Sequence, residues 1–213
     1  MNESWWDHRI LWAVFTLGAI GLLRGGDFAL DEAEHIDSQK LLRMRDITSE
    51  SSNGRTVLKV RLFNTKTDRN NQGVQVIIGG TGRTVCAVSA MCAYLRVRSS
   101  ADPKAPLFIF QDGAILRRKT LIIFVRAFLD LIGESSQQYA GHSFRVGGAS
   151  DLAAANVPDY EIQAAGRWTS EAFKRYLRFS DGQNAQRSEC FGLGNDGSET
   201  PNNPRQCCLQ RGL

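Results

Sequence analysis

Apolar and polar positions along the chain follow helical periods for most of its length and a strand period over one short region. The longest uncharged stretch runs from Ile10 to Leu23 and ends before paired glycines. It is shorter than the roughly 20 residues that a membrane span needs, so the pattern favours a buried core helix. A signal-peptide core has a similar length, but the residues that follow Leu23 form a poor cleavage site.

A strand period replaces the helical one between residues 47 and 78. β-branched, partly alternating residues predict strands at Thr56–Phe63 and Val74–Ile78. The intervening "NTKTDRNNQG" has the composition of a long polar turn. A short helix leading into an edge strand near Ile47 completes a small antiparallel sheet.

Helical periodicity returns after the strands and predicts most of the remaining fold. Ser143 is a plausible N-cap of one of these helices, and Thr169 or Ser170 caps the last. The predicted helices span Thr84–Arg98, Arg117–Gly133, Ser143–Ala155, a short segment from Pro158 to Gly166, and Thr169–Phe179.

Composition bounds the domain organisation and the compartment. The 213 residues suffice for one domain with a tail, and residues 181–213 are rich in Gly, Asn, Ser, Gln and Pro, which predicts disorder. The net charge of +4 weakly favours an anionic partner. The five cysteines form no C-x-x-C pair, which argues against structural zinc and a secreted disulfide scaffold and favours a reduced compartment.

The segment "AGHSFRVGGAS" places His142 and Arg145 three residues apart at a predicted helix start. Side chains at this spacing leave the same helix face. Arg145 there can bind phosphate oxygens through two parallel hydrogen bonds. Gly147 and Gly148 weaken a helix and so indicate close backbone packing. A surface arginine beside a capping histidine is the simpler alternative for this pair alone.

Other candidate residues lie in a recurring order around this pair. Arg24 and Asp27 follow the apolar helix in "GLLRGGDF", and Lys66 lies in the polar turn. Trp168 follows in "GRW", and Tyr176 follows in "FKRYLR".

This order resembles the catalytic domain of the tyrosine recombinases, the family of Cre and phage lambda integrase. "GHSFRVGGASDLAAANVPDYEIQAAGRWTSEAFKRYLR" is similar to the second conserved box of that family, "GLLRGGDF" to the first, and "NTKTDRNNQG" to its lysine-bearing β-hairpin. The wording is closest to integrases of eukaryotic DIRS-like, Ngaro-like and Crypton-like mobile elements. The resemblance implies an α+β, mainly helical catalytic domain over residues 1–180, without the family's N-terminal DNA-clamp domain.

The resemblance also implies a role for each candidate residue. Tyr176 is the implied nucleophile that forms a 3′-phosphotyrosyl link, with Tyr94, Tyr139 and Tyr160 as rivals outside the family spacing. Lys66 is the implied general acid, with Lys59 and Lys119 as possible substitutes. Arg24 and Arg145 are the implied phosphate-binding residues, and His142 is implied in proton transfer. Trp168 would offer its indole N–H to the phosphate or pack as a core aromatic. Asp27 would orient Arg24 or His142.

The resemblance further implies double-stranded DNA as substrate and a homo-oligomer on DNA. No metal, ATP or other cofactor is expected, and no association with a membrane is expected. The expected location is nuclear in a eukaryote and otherwise cytoplasmic. Basic residues expected at the DNA backbone are Arg117, Arg118, Lys119, Lys174, Arg175 and Arg178.

Two other functions remain open from the sequence. A type IB topoisomerase shares the chemistry, but it usually carries histidine where this chain has Trp168. A catalytically inactive DNA-binding remnant of a mobile element is the other alternative, and the complete residue set argues against it. Formation of a covalent protein–DNA adduct separates an enzyme from such a remnant.

Overall fold

A computed structural model describes residues 3–63, 72–98 and 100–177. Lys66, Arg178 and the predicted tail at 181–213 lie outside the described residues. The chain divides into two compact units, Met1–Gly148 and Ala149–Leu213.

The first unit begins with the apolar stretch, which forms helix α1, Glu3–Ile20. Ile10, Val14 and Leu17 are fully buried on one side, while Trp12 is 45% exposed on the other. The stretch is therefore a core helix, as predicted. In the part of the chain that is described, no helix combines the length and apolarity that a membrane crossing requires.

A turn and a short helix follow α1. Leu22 adopts a left-handed backbone conformation, with φ of 49°, and its side chain is buried. Helix α2, Gly25–Phe28, begins three residues later. A 3₁₀ helix, Met44–Asp46, then leads into the sheet, in agreement with the short helix predicted before Ile47.

The sheet contains strands β1 (Ile47–Ser52), β2 (Arg55–Leu62) and β3 (Val74–Gly79). They are antiparallel in the order β1-β2-β3, with Val60 opposite both Ile47 and Val76. Alternate residues of β2 are buried because successive side chains point to opposite faces of a strand. The predicted strands are confirmed, and β1 is an edge strand.

Helices α3 (Ala87–Arg98) and α4 (Arg118–Leu131) complete most of the first unit. α3 packs against α1 and begins three residues later than predicted. Its Tyr94 is fully buried, and its hydroxyl donates to the carbonyl of Leu107 at 2.9 Å and accepts from the N–H of Ile109 at 3.0 Å. A 3₁₀ helix, Ser136–Gln138, follows α4.

Helix α5, Ser143–Ala154, carries the second predicted motif. α5 begins at Ser143, so Ser143 is its first helical residue and not the N-cap. The hydroxyl of Ser143 accepts a hydrogen bond from the N–H of Ala140 at 2.9 Å. The N-cap prediction is therefore wrong by one position, which is the usual error in placing a helix end.

In the second unit, helix α6, Asp159–Ala165, begins directly after Pro158. Ala149, Ala153, Ile162 and Phe173 form its buried cluster. The helix predicted from Thr169 is instead a 3₁₀ helix at Glu171–Tyr176. Three residues per turn bring Lys174 over Glu171, 3.0 Å apart, which this tighter helix favours.

The paired glycines of α5 differ in their surroundings and give a stability test. A Cβ on Gly148 would lie 2.3 Å from the carbonyl oxygen of Ala19 and 2.5 Å from Cδ2 of Leu22, whereas nothing lies within 4 Å of a Cβ on Gly147. We expect Gly148→Ala to lower the free energy of unfolding by about 1–3 kcal/mol, the cost of overpacking. Urea titration measures this change.

Gly147→Ala is the matched control, because it adds the same methyl group one position away. It should stabilise the helix by roughly 0.5–1 kcal/mol, since alanine has the higher helix propensity. Equal effects of the two substitutions would contradict the close approach at Gly148.

Candidate functional site

A backbone hydrogen bond joins the two predicted motifs of the first unit. The N–H of Gly25, at the start of α2, donates to the carbonyl of Gly141 at 2.7 Å. Arg24 immediately precedes the donor, and His142 immediately follows the acceptor. The structure therefore brings together segments that are far apart in sequence.

Arg145 links α5 to the end of α1. It is only 4% exposed, and its Nη1 donates to the carbonyl of Leu22 at 3.0 Å. The left-handed turn at Leu22 thus supplies the acceptor for a buried guanidinium. A charged group is buried only where polar partners compensate its lost hydration, so this contact fixes the arginine in place.

Phe144 holds the start of α5 against the core of the first unit. Its ring centroid lies 5.7 Å from that of Phe15 in α1 and 6.1 Å from that of Phe28 in α2. Aromatic pairs at such separations are favourable beyond the area that they bury. The position of His142 and Arg145 is therefore set by packing of the residue between them.

Asp27 orients the backbone of Arg24. Its Oδ2 accepts a hydrogen bond from the N–H of Arg24 at 2.8 Å. This contact is to the main chain of Arg24 and not to its guanidinium. Both side chains are half-buried at the entrance to α2.

His142 is exposed but lies among several charges. Partial desolvation lowers its pKa from the ordinary value, and the positive charges of Arg24, Arg118 and Arg145 lower it further, while Asp27 opposes them. The imidazole is therefore neutral at pH 7. Protonation at lower pH would add another positive charge to the same place.

Arg118 is a further charged residue near this group. It was predicted only as a contact to DNA backbone, among the basic residues that begin α4. In the structure its guanidinium lies against Gly141, and Nη1 lies 3.3 Å from Oδ2 of Asp31. This ion pair is partly exposed and is worth about 0–1 kcal/mol.

The neighbours of Arg118 have different surroundings. Nη1 of Arg117 donates to the carbonyls of Asp31 and Glu34, both at 2.9 Å, so this side chain fixes a loop. Lys119 is exposed. Sequence alone could not separate these three because they form one basic run, "RRK".

Trp168 belongs to the second unit and is half-buried there. Its ring centroid lies 5.6 Å from that of Phe173, and its ring occupies the space beside Gly166, where a Cβ would lie 1.6 Å from it. Trp168 therefore packs against the buried cluster of this unit. Tyr176 is the last residue of the 3₁₀ helix in this unit.

Two of the remaining predicted residues are also in the second unit. Arg175 is exposed. Lys174 forms ion pairs with Glu171 at 3.0 Å and Asp159 at 3.6 Å, so its charge is partly compensated. Lys66 and Arg178 lie outside the described residues.

Two of the rival tyrosines, Tyr94 and Tyr160, have raised pKa values. Burial raises the pKa of Tyr94 to about 12, and its hydroxyl has the core partners described above. Tyr160 is 70% exposed, and a hydrogen bond with Glu161 raises its pKa as well. A raised pKa makes the phenolate, the attacking form, harder to reach.

Comparison with known proteins gives matches only among solved structures. No family model and no curated protein matches the chain. The XerH site-specific recombinase bound to palindromic difH substrate, in a post-cleavage complex, matches with a TM-score of 0.58 at 15% identity, over 90% of this chain and 47% of that one. Its pre-cleavage complex with difH substrate matches with a TM-score of 0.54 at 15% identity, over 92% of this chain and 49% of that one. XerA recombinase matches with a TM-score of 0.54 at 14% identity, over 93% of this chain and 65% of that one.

The likeness establishes the fold of the chain. A mainly helical architecture with a three-stranded antiparallel sheet is that of the tyrosine recombinase catalytic domain, so the predicted fold class is confirmed. The chain spans about half the length of XerH and 65% of XerA.

Proposed function

We propose that this chain is a tyrosine recombinase catalytic domain that cleaves and rejoins DNA strands through a 3′-phosphotyrosyl intermediate. The observation that carries the proposal is the joining of Arg24, His142 and Arg145 around the hydrogen bond between Gly25 and Gly141. These groups form a cluster of positive charge, on a fold shared with recombinases.

The arginines would stabilise the charge that develops on the phosphate. A phosphodiester resists nucleophiles because its own oxygens are negative, and donors held in place lower that barrier. Arg145 is fixed by burial, so its guanidinium need not be ordered at the moment of reaction. The main chain of Arg24 is held by its contact with Asp27.

Tyr176 would attack the phosphorus of the scissile diester. The new bond joins Oη to phosphorus, the bond from phosphorus to the 5′-oxygen breaks, and the phenol would pass its proton to the neutral imidazole of His142. Lys66 would give a proton to the departing 5′-oxygen, which leaves as a hydroxyl. Attack of a 5′-hydroxyl on the phosphotyrosine reverses the step, so rejoining requires neither ATP nor a metal.

His142 and Trp168 would each support this chemistry. A neutral imidazole can accept or donate a proton, and the lowered pKa of His142 keeps it neutral at pH 7. Trp168 would offer its indole N–H to the phosphate. Exposed cations, among them Lys119 and Arg175, would contact DNA backbone.

The wider setting follows from the same proposal. The substrate would be double-stranded DNA, bound by a homo-oligomer, and the reaction would integrate or excise a mobile element. In a eukaryotic cell this places the protein in the nucleus.

Trapping of the covalent intermediate tests the proposal. A duplex with a randomised central segment carries a nick placed so that the released 5′-hydroxyl fragment diffuses away. The full chain is incubated with it at low salt, and DNA that remains protein-bound in detergent is isolated and sequenced. An adduct that protease removes supports the proposal, and its absence across the randomised pool contradicts it.

The role of Lys66 gives a chemical rescue prediction. Lys66→Ala should slow cleavage of an ordinary diester by about 10²–10⁴, the usual contribution of a general acid. With sulfur in place of the 5′-oxygen most of that loss should disappear, because a thiolate leaves without protonation. Single-turnover cleavage rates on the two substrates measure the rescue.

Lys59→Ala and Lys119→Ala are the controls for this rescue. Lys59 forms an ion pair with Glu50 on the sheet, and Lys119 is exposed on α4. Sulfur rescue of either variant instead of Lys66→Ala would assign the general acid elsewhere.

A further inference from the structure

We propose that Arg118 is a third guanidinium of the candidate phosphate site, which binds the same phosphate as Arg24 and Arg145. The inference rests on the proposed function for the identity of the substrate, a DNA phosphate. The choice of Arg118 rests on the geometry of the first unit. Arg118 is a described residue that the sequence predicted only as a contact to DNA backbone, and the proposal adds it to the phosphate site.

The main chain fixes the position of Arg118. Its N–H donates to the carbonyl of Leu30 at 2.8 Å, and the N–H of Leu30 donates to the carbonyl of Leu116 at 3.2 Å. The start of α4 is therefore tied to the segment that follows α2. An arginine held in this way loses less freedom on binding than one on a free surface.

The side chain of Arg118 lies over the residue that joins the two motifs. A Cβ on Gly141 would be 3.3 Å from Nε and 3.5 Å from Nη2 of Arg118. The guanidinium therefore lies against Gly141, whose carbonyl accepts from Gly25 and whose successor is His142. Glycine at position 141 leaves the space that this approach needs.

The charged groups near Arg118 are also the charged groups of the candidate phosphate site. Arg24 and Asp27 belong to α2, and His142 and Arg145 to the start of α5; with Arg118 they are the charged groups that act on the His142 ring. Asp31 supplies the counterion, from the loop after α2. Three guanidiniums close to one imidazole repel one another, so an anion is the group that such an arrangement favours.

Asp31 would hold Arg118 until the phosphate arrives. Its Oδ2 contacts Nη1 of Arg118 at 3.3 Å, a long and partly exposed ion pair. Its Oδ1 accepts from the N–H of Glu32 at 2.8 Å and so keeps the carboxylate in its turn. A phosphate can therefore replace Asp31 as the partner of Arg118 at small cost.

Inorganic phosphate and the ring signals of His142 test the proposal by NMR on the full chain. The chain has three histidines, and His142→Gln assigns the signal. In the wild type, phosphate should shift that signal and raise the pKa of His142, because an anion offsets the nearby guanidiniums. Arg118→Gln should weaken phosphate binding about tenfold and raise the pKa of His142 in the free protein.

Two further variants separate binding from folding. Asp31→Asn keeps the acceptor for Glu32 but removes the competing charge, so it should strengthen phosphate binding. Arg118→Lys should restore part of the affinity and most of the pKa effect, because it restores the charge without the planar donors. Arg126→Gln, farther along α4, removes an equal charge from an exposed position and should change neither quantity.

The outcomes distinguish this proposal from the proposed function. Wild-type phosphate affinity and wild-type titration of His142 in Arg118→Gln, with both altered in Arg24→Gln, would overturn the role of Arg118 alone. No effect of phosphate on His142 in the wild type would overturn it as well. The absence of a DNA adduct, with these NMR results as expected, would instead contradict the recombinase chemistry and leave a phosphate site with three arginines.

Discussion

Replacement of Tyr176 by phenylalanine should abolish covalent attachment to DNA and leave DNA binding unchanged. The substitution removes only the hydroxyl that would form the bond to phosphorus, and the ring remains. No other group of the proposed mechanism can take its place, so the expected loss is complete. Detection of a protease-sensitive adduct on the nicked duplex measures attachment, and a gel-shift assay at the same salt concentration measures binding.

Tyr160→Phe is the matched control for this experiment. Tyr160 lies in the same unit and is exposed, and its loss removes only a hydrogen bond to Glu161 at 3.1 Å. Tyr139→Phe should also retain attachment. Tyr94→Phe is less informative, because it leaves the buried N–H of Ile109 without its acceptor at a cost of about 1–3 kcal/mol. Adduct formation by Tyr176→Phe would place the nucleophile elsewhere.

Arg145→Lys should reduce the rate of strand cleavage by about 10²–10³, the scale for loss of one fixed transition-state donor. Lysine keeps the charge but lacks the planar pair of donors that can bind phosphate and the Leu22 carbonyl together. Single-turnover rates at saturating protein measure the effect, because they separate cleavage from binding.

The fold must be measured in the same variant. Arg145 is buried, so Arg145→Ala would also leave the Leu22 carbonyl without this donor and cost about 1–3 kcal/mol of stability. Arg126→Lys is the matched control: Arg126 donates from Nε to the carbonyl of Tyr139 at 3.3 Å but is exposed. It should cleave at the wild-type rate, and equal losses in the two lysine variants would remove Arg145 from the site.

Local pattern predicted much of the fold. The uncharged stretch of α1 and the alternation of β2 carry signals that need no tertiary information. β2 formed within one residue of its predicted bounds, whereas α1 begins at Glu3, before the uncharged stretch, and ends at Ile20, before Leu23. The 3₁₀ helix before Tyr176 was mistaken for an α-helix because over six residues the periods of three and 3.6 residues are too similar to separate.

The candidate site was predictable only in part. His142 and Arg145 share one turn, so their spacing placed them together, and Arg24 was added by resemblance to a family. Arg118 was not assigned to the site, because its approach to Gly141 depends on how α4 packs against the loop before α5. No local signal in "RRK" identifies the middle residue as the one that contacts this loop.

The hydrogen bond from Gly25 to Gly141 makes one amide proton a reporter of the whole cluster. Gly25 is buried, and its N–H reaches its acceptor only while the two segments are together. Exchange of this proton with deuterium therefore requires their separation, and its rate gives the fraction of molecules in which Arg24 and His142 have moved apart. Because this quantity exists before any ligand is added, assembly of the cluster can be followed by exchange even when no DNA target sequence is known.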